Sequence, residues 1–217
     1  MIAVARYLLA EYFHSRRWVA PFLFLLSGLV VLYAQPPNPV LETAGTAAAF
    51  LVLAQCWLAL AFLNSQPDED RYVLEATVRG PRFVGGRVVG LGVLVLLSSL
   101  LTLVSPWISG RFERAPRLPD VALIVLANIV CAAAGSALAA LFARPAVRSR
   151  TVRVLGVTAC LVVTVPLGLS PAVETAKAFD TTVAAQVPQR FAGTLGSVTA
   201  FVLIAGFLSG LLWRYRE

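Results

Sequence analysis

Long apolar runs alternate with short polar connectors along this chain. Six runs stand out, at residues 18–34, 44–63, 88–108, 121–143, 154–169 and 191–213. An α-helix rises 1.5 Å per residue, so about 20 residues cross about 30 Å of hydrocarbon, and only the first and fifth runs fall short of that length. None shows the period-two alternation of a transmembrane strand. Lipid tolerates only backbones whose hydrogen bonds are closed internally, so helices are predicted throughout. The pattern predicts an all-α, polytopic membrane protein with six transmembrane helices in a single domain, residues 1–217.

Two polar segments break this pattern in informative ways. In residues 2–17, Ile2, Ala5, Leu8, Leu9, Tyr12 and Phe13 gather on one side of a helical wheel, with Arg6, Glu11, His14 and Arg17 opposite. Such a helix suits the headgroup layer, turning into the membrane near Trp18 and Pro21; the alternative is the start of a tilted first span. About 17 residues that include Arg6, Arg16 and Arg17 precede the first run, longer than the basic start of a signal peptide, so the first span is expected to be retained.

The second segment is residues 64–87, NSQPDEDRYVLEATVRGPRFVGGR. Ser65 is a candidate cap, Pro67 suits a first turn, and Asp68, Glu69 and Asp70 complement a helix N-terminus. A short helix through Arg71, Tyr72, Val73, Leu74 and Glu75 is predicted to stop at Gly80-Pro81. Gly85-Gly86 then offers either a flexible or a tightly packed return to the apolar phase. A surface helix presenting Tyr72, Val73 and Leu74 suits a partner's groove, and a solvated connector is the plain alternative.

Composition supports the membrane class, since 59% hydrophobic residues exceeds the roughly 45–50% of soluble domains. The net charge of +7 is explained by topology. With the amino terminus in the cytosol, 13 of the 18 basic residues fall inside and 5 outside, which predicts both termini cytosolic. Arg111, Arg114 and Arg117 run against this bias, partly offset by Glu113 and Asp120. Basic residues beside spans serve topology and anionic headgroups, and no aromatic-interleaved basic patch points to nucleic acid. Arginine over lysine, with abundant Ala, Val and Leu, suggests a bacterial source.

Candidate chemistry is sparse. Cys56, Cys131 and Cys160 each fall inside a predicted span without metal-site spacing, so no metal site is expected and small packing residues are predicted. No Asp, Glu, His, Lys or Arg falls within the six runs away from their ends, and Ser136 has no histidine in a span to activate it. An intramembrane enzyme is therefore disfavoured, while a structural or regulatory membrane subunit stays open. Gln55 and Asn128 are the candidates for lining a path, with interhelical hydrogen bonding as their alternative role. Small residues at 132–140 and the Gly206/Gly210 pair suit close helix contacts, within one subunit or between two. Pro106 and Pro166 are expected to kink or end their helices.

The order of an interfacial helix, two spans, a charged helix, and four more spans resembles the permease subunit of ATP-binding-cassette transporters, in the type-2 exporter class. Glu69-Asp70-Arg71, Leu74, Pro81-Arg82 and Gly86-Arg87 stand where that family's coupling helix carries its pattern. The resemblance implies a cytosolic coupling helix between spans two and three, with Asp70, Arg71, Tyr72, Val73, Leu74 and Glu75 contacting a separate cytosolic ATPase. It also implies a second permease chain, identical or different, in the cytoplasmic membrane. Residues 170–190 stand where the family carries an outer helical hairpin, a plain loop being the alternative. Lys177 is the only lysine and is followed by Ala178, so the chain carries no Walker A loop, and ATP belongs on the partner. The uncharged spans suit export of an amphiphilic or apolar cargo. On this reading Leu74→Asp leaves insertion intact and loses the ATPase from a pull-down.

Overall fold

The computed structural model describes residues 1–34, 40–78, 80–109 and 118–143, together with Ser149. Six helices account for almost all of them: α1 (Ile2–His14), α2 (Val19–Ala34), α3 (Val40–Leu63), α4 (Asp68–Val78), α5 (Gly80–Ser109) and α6 (Leu118–Phe142). Among the described residues α3, α5 and α6 are long and apolar enough to cross a membrane. A fourth crossing results if α1 and α2, bent 77° from one another, count as one broken span. The expected spans at 154–169 and 191–213, the connector 170–190, Cys160, Pro166 and the Gly206/Gly210 pair lie outside the described residues.

The helix α3 is the hub, packing most extensively on α6 and also on α2 and α5. Small side chains make the α3–α6 seam. Ala48, Val52, Ala127 and Cys131 form one buried layer, and Cys56, Ala59, Leu138 and Ala139 form another. Between them Gly135 lies so close to α3 that a Cβ would stand 2.5 Å from the Val52 carbonyl oxygen and 3.1 Å from the Cys56 nitrogen. Lipid tails are as apolar as leucine, so helix association there rests on such close packing. The small-residue stretch at 132–140 thus packs within one chain. On its other side α3 meets α2 and α5 through Leu25, Leu29, Tyr33, Leu51 and Ala54.

The chain enters α4 differently from the sequence expectation, whereas α4 ends at Val78, just before Gly80-Pro81, as expected. Ser65 does not cap α4: its hydroxyl donates to the Phe62 carbonyl at 2.9 Å, within the last turn of α3. Gly80-Pro81 begins α5, where proline suits a first turn because its missing N–H has no intrahelical acceptor. Gly85 and Gly86 are helical and tightly packed; a Cβ on Gly86 would meet Val4 Cγ1 at 2.6 Å. The return at Gly85-Gly86 is therefore the tightly packed alternative, made within the opening turns of α5. With 30 residues, α5 is about 45 Å long and exceeds one hydrocarbon thickness. Pro106 lies inside α5, and the Ser105 hydroxyl donates at 2.9 Å to the Thr102 carbonyl, the group that proline deprives of its usual donor.

The bend between α1 and α2 is made by residues 15–18. The Ser15 and Arg16 amides donate to the carbonyls of Glu11 (2.9 Å) and Phe13 (3.3 Å), and Arg16 then takes a left-handed φ of 56°. That conformation costs an arginine about 1–2 kcal/mol, because Cβ crowds the following carbonyl, a clash that glycine avoids.

A Cβ at position 135 would meet backbone atoms of Val52 and Cys56 and the Cβ of Gln55, none of them the far end of a flexible side chain. Gly135→Ala is expected to cost about 1–3 kcal/mol of stability. Gly92, which has nothing within 4 Å of its own added Cβ, provides the control, and Gly92→Ala is expected to hold or slightly raise the melting temperature. Thermal unfolding of both purified variants in detergent checks the pair.

Candidate functional site

The polar connector leaving α3 forms the most elaborate polar structure among the described residues. Helix α3 ends at Leu63 with no basic residue in its last turn; Asn64 and Ser65 meet the Leu60 and Phe62 carbonyls locally, and the carbonyls that follow, at the negative end of the helix dipole, suit a cationic partner. Two arginines from elsewhere supply one. Arg17, in the α1–α2 bend, donates through Nη1 to the carbonyls of Asn64 at 2.9 Å and Ser65 at 3.2 Å. Arg87, two turns into α5, donates to the Leu63 carbonyl, and its guanidinium lies 5.4 Å from the centre of the Phe83 ring. Gln66 completes the seam, donating to Glu11 Oε2 at 3.0 Å.

Beneath these polar ties lies an apolar layer. Leu8 and Tyr12 of α1, Phe62 and Leu63 of α3, and Phe83 and Leu94 of α5 are buried together. Tyr12 is 0% exposed, meets Phe62 edge to face at 5.5 Å, and donates its hydroxyl to the Leu58 carbonyl at 3.3 Å. Burial pushes its phenol well above the usual 10.0, since the phenolate would lose its water shell. Helix α1 is therefore bolted across the α4 end of α3 and α5. Its packed face is Ala5, Leu8 and Tyr12, whereas Ile2 and Phe13, grouped with them on the wheel, point outward.

The backbones of all six predicted contact residues, Asp70 to Glu75, lie on α4. Their side chains separate by environment. Glu69, Asp70, Val73, Ala76 and Thr77 are exposed, Val73 to 68%. Leu74 is half-buried and packs on the Tyr12–Phe62–Phe83 layer. The side chains of Arg71, Tyr72 and Glu75 lie outside the described set. Leu74 thus seats α4 on its base, and Leu74→Asp would disturb that seat as well as any docking. Among the described side chains of α4, Val73 is the large apolar one that faces outward.

The two path candidates are both buried in the bundle. Gln55 of α3 donates to Ser136 Oγ of α6 at 3.0 Å and accepts from Ser98 Oγ of α5 at 2.7 Å, so one side chain ties three helices. Asn128 is 1% exposed; its Nδ2 donates to the Ile124 carbonyl at 2.9 Å, and its Oδ1 has no hydrogen-bond partner among the described residues. It lines a cavity of about 10 Å³ with Tyr33, Thr43, Thr102 and Pro106, which is about the room one water needs. Interhelical bonding accounts for Gln55. Cys56 and Cys131 are buried packing residues of the α3–α6 seam.

Sequence reasoning missed the capping roles of Arg17 and Arg87, having assigned both to topology. The usable signal is a long apolar helix whose last turn has no basic residue, so that a cation for its negative end comes from elsewhere in the chain. Among the described residues no group of three potential metal ligands comes together. Comparisons with protein-family models, curated proteins and solved structures find no match.

The buried phenol gives a signed pH dependence. Folding raises the Tyr12 pKa above the 10.0 of an exposed phenol, so its contribution is complete below that pH and is lost as pH rises through the higher folded value. Tyr12→Phe is expected to cost about 1 kcal/mol at neutral pH, through the lost hydroxyl bond, and to flatten the decline above about pH 10. Thermal unfolding in detergent at about pH 8 and about pH 11 checks both.

Proposed function

We propose that this chain is the membrane-spanning permease subunit of an ATP-binding-cassette exporter, with α4 as the helix that docks on a separate cytosolic ATPase. The observation that carries this reading is the seating of α4. It is a short helix between two candidate spans, its outward face holding Glu69, Asp70 and Val73, its inner Leu74 resting on a layer shared by α1, α3 and α5. A push on α4 therefore passes into three helices through packed side chains. ATP-driven closure of the ATPase pair moves α4 as a lever, and two permease chains rock between inward-open and outward-open states. Contacts at α4 must differ between the two states, or ATP binding drives nothing. The translocation path lies between the two chains, and its uncharged walls suit an amphiphilic or apolar cargo. The chain sits in the cytoplasmic membrane with both termini in the cytosol.

A second reading, a structural or regulatory membrane subunit that docks a partner through α4 without transport, is favoured by the close-packed α3–α6 seam and the small Asn128 cavity. One experiment separates them. A photo-crosslinking amino acid at Val73, introduced in the producing cell, is expected to yield an adduct with a polypeptide carrying a Gly-x-x-x-x-Gly-Lys-Ser/Thr loop, identified by mass spectrometry. Asp70→Lys is expected to abolish the adduct while leaving membrane insertion unchanged. Adducts only with polypeptides lacking a nucleotide-binding loop would overturn the transporter reading in favour of the regulatory one.

A further inference from the structure

The outward face of α1 is left over once its packing is assigned. Ala5, Leu8 and Tyr12 face the bundle, while Ile2, Arg6, Tyr7 and Phe13 are exposed, Ile2 to 78%. Large apolar side chains and a cation thus share one exposed surface. The only acid on α1, Glu11, has its Oε2 engaged by Gln66, so the face carries no exposed carboxylate to neutralise it. Arg16 extends this surface at the bend, exposed, and held at the left-handed φ that glycine would fill with less strain. Neither the Arg6 nor the Arg16 guanidinium meets an acceptor among the described residues, in contrast to that of Arg17, which is committed to the end of α3. Among the described residues, the arginine at position 16 is therefore accounted for neither by backbone conformation nor by a contact of its guanidinium.

From this we infer that the outer face of α1, with Arg6 and Arg16, is a binding surface for anionic phospholipid. The 77° bend turns α1 across the direction of α2, as a helix lying along a membrane surface requires. In that setting Ile2 and Phe13 enter the acyl boundary, Tyr7 sits at headgroup level, and the two guanidiniums meet phosphate oxygens. Because α1 is bolted to α3 and α5 through Tyr12, a lipid held here also steadies the base on which α4 rests. The inference does not depend on the transporter reading.

Trp18 is a built-in reporter, its ring 5.8 Å from that of Phe13 and its Nε1 donating to the Phe13 carbonyl at 3.0 Å. In full-length chain with Trp57, Trp107 and Trp213 replaced by Phe, reconstituted in bilayers, brominated phosphatidylglycerol is expected to quench Trp18 more strongly than brominated phosphatidylcholine. Arg6→Gln and Arg16→Gly are each expected to lower that preference about fivefold, and Arg16→Lys to preserve it. Arg16→Gly should also melt no lower than the parent chain, since glycine accepts this φ, so a lost preference there is not a folding defect. Equal quenching by the two lipids in the parent chain, or a preference that survives both Arg6→Gln and Arg16→Gly, would overturn the proposal. Absence of quenching by either lipid would show that protein covers this face, and would overturn it too.

Discussion

The carbonyl end of α3 is the point on which the rest of the α4 end of the molecule depends. A helix that leaves an apolar phase delivers several unpaired carbonyls and a negative dipole end at one spot, and burying them unpaired is costly. Here Asn64 and Ser65 meet the Leu60 and Phe62 carbonyls locally, and the cations for the carbonyls of Leu63, Asn64 and Ser65 come from outside α3, Arg17 at the α1–α2 bend and Arg87 in α5. Satisfying one helix end thereby fixes the positions of α1, α3 and α5 relative to one another. The apolar layer of Leu8, Tyr12, Phe62 and Phe83 fills the space that those ties enclose. Helix α4, with Leu74 on that layer, inherits its place from the same arrangement.

Deeper in the bundle a second constraint operates by different physics. Between apolar helices in lipid, register is poorly specified by hydrophobicity, because every apolar face is equally content against hydrocarbon. Backbone approach at Gly135 and the hydrogen bonds of Gln55 to Ser98 and Ser136 supply what hydrophobicity does not. Sliding α6 by one residue would bring a Cβ against the Val52 carbonyl and strand the Gln55 amide. The interior is specified by one glycine and one amide more than by its many leucines.

Helix content and the described span positions were legible because the signal is strong: apolar runs of about 20 residues have few other uses. The short helix after α3 was also legible, through the acidic run at its start and Gly80-Pro81 beyond it. Its surroundings were not. Ser65 has the chemistry of a helix cap, yet its hydroxyl turns back to α3, a choice between two nearby backbone acceptors and donors that composition does not weigh. An isolated helix shows no inside, so Leu74 reads from sequence as an outward contact; the layer that makes it half-buried joins α1 to the two helices on either side of α4. On a wheel Ile2 and Phe13 group with the packing face of α1, because a wheel does not distinguish apolar residues that are buried in protein from those that stay exposed.

By itself, then, the sequence determined that this is an all-helical protein with candidate membrane spans, a separate amphipathic start, and a charged helix between two spans. Those are local properties, set by run length, helical period and proline or glycine punctuation. Tertiary structure alone decided that Arg17 and Arg87 converge on one helix end, that Gly135 is a backbone contact, that Gln55 joins three helices, and that α4 rests on Leu74. Each of these joins residues far apart in the chain, and the geometry that brings them within hydrogen-bonding or van der Waals distance exists only once the helices are packed.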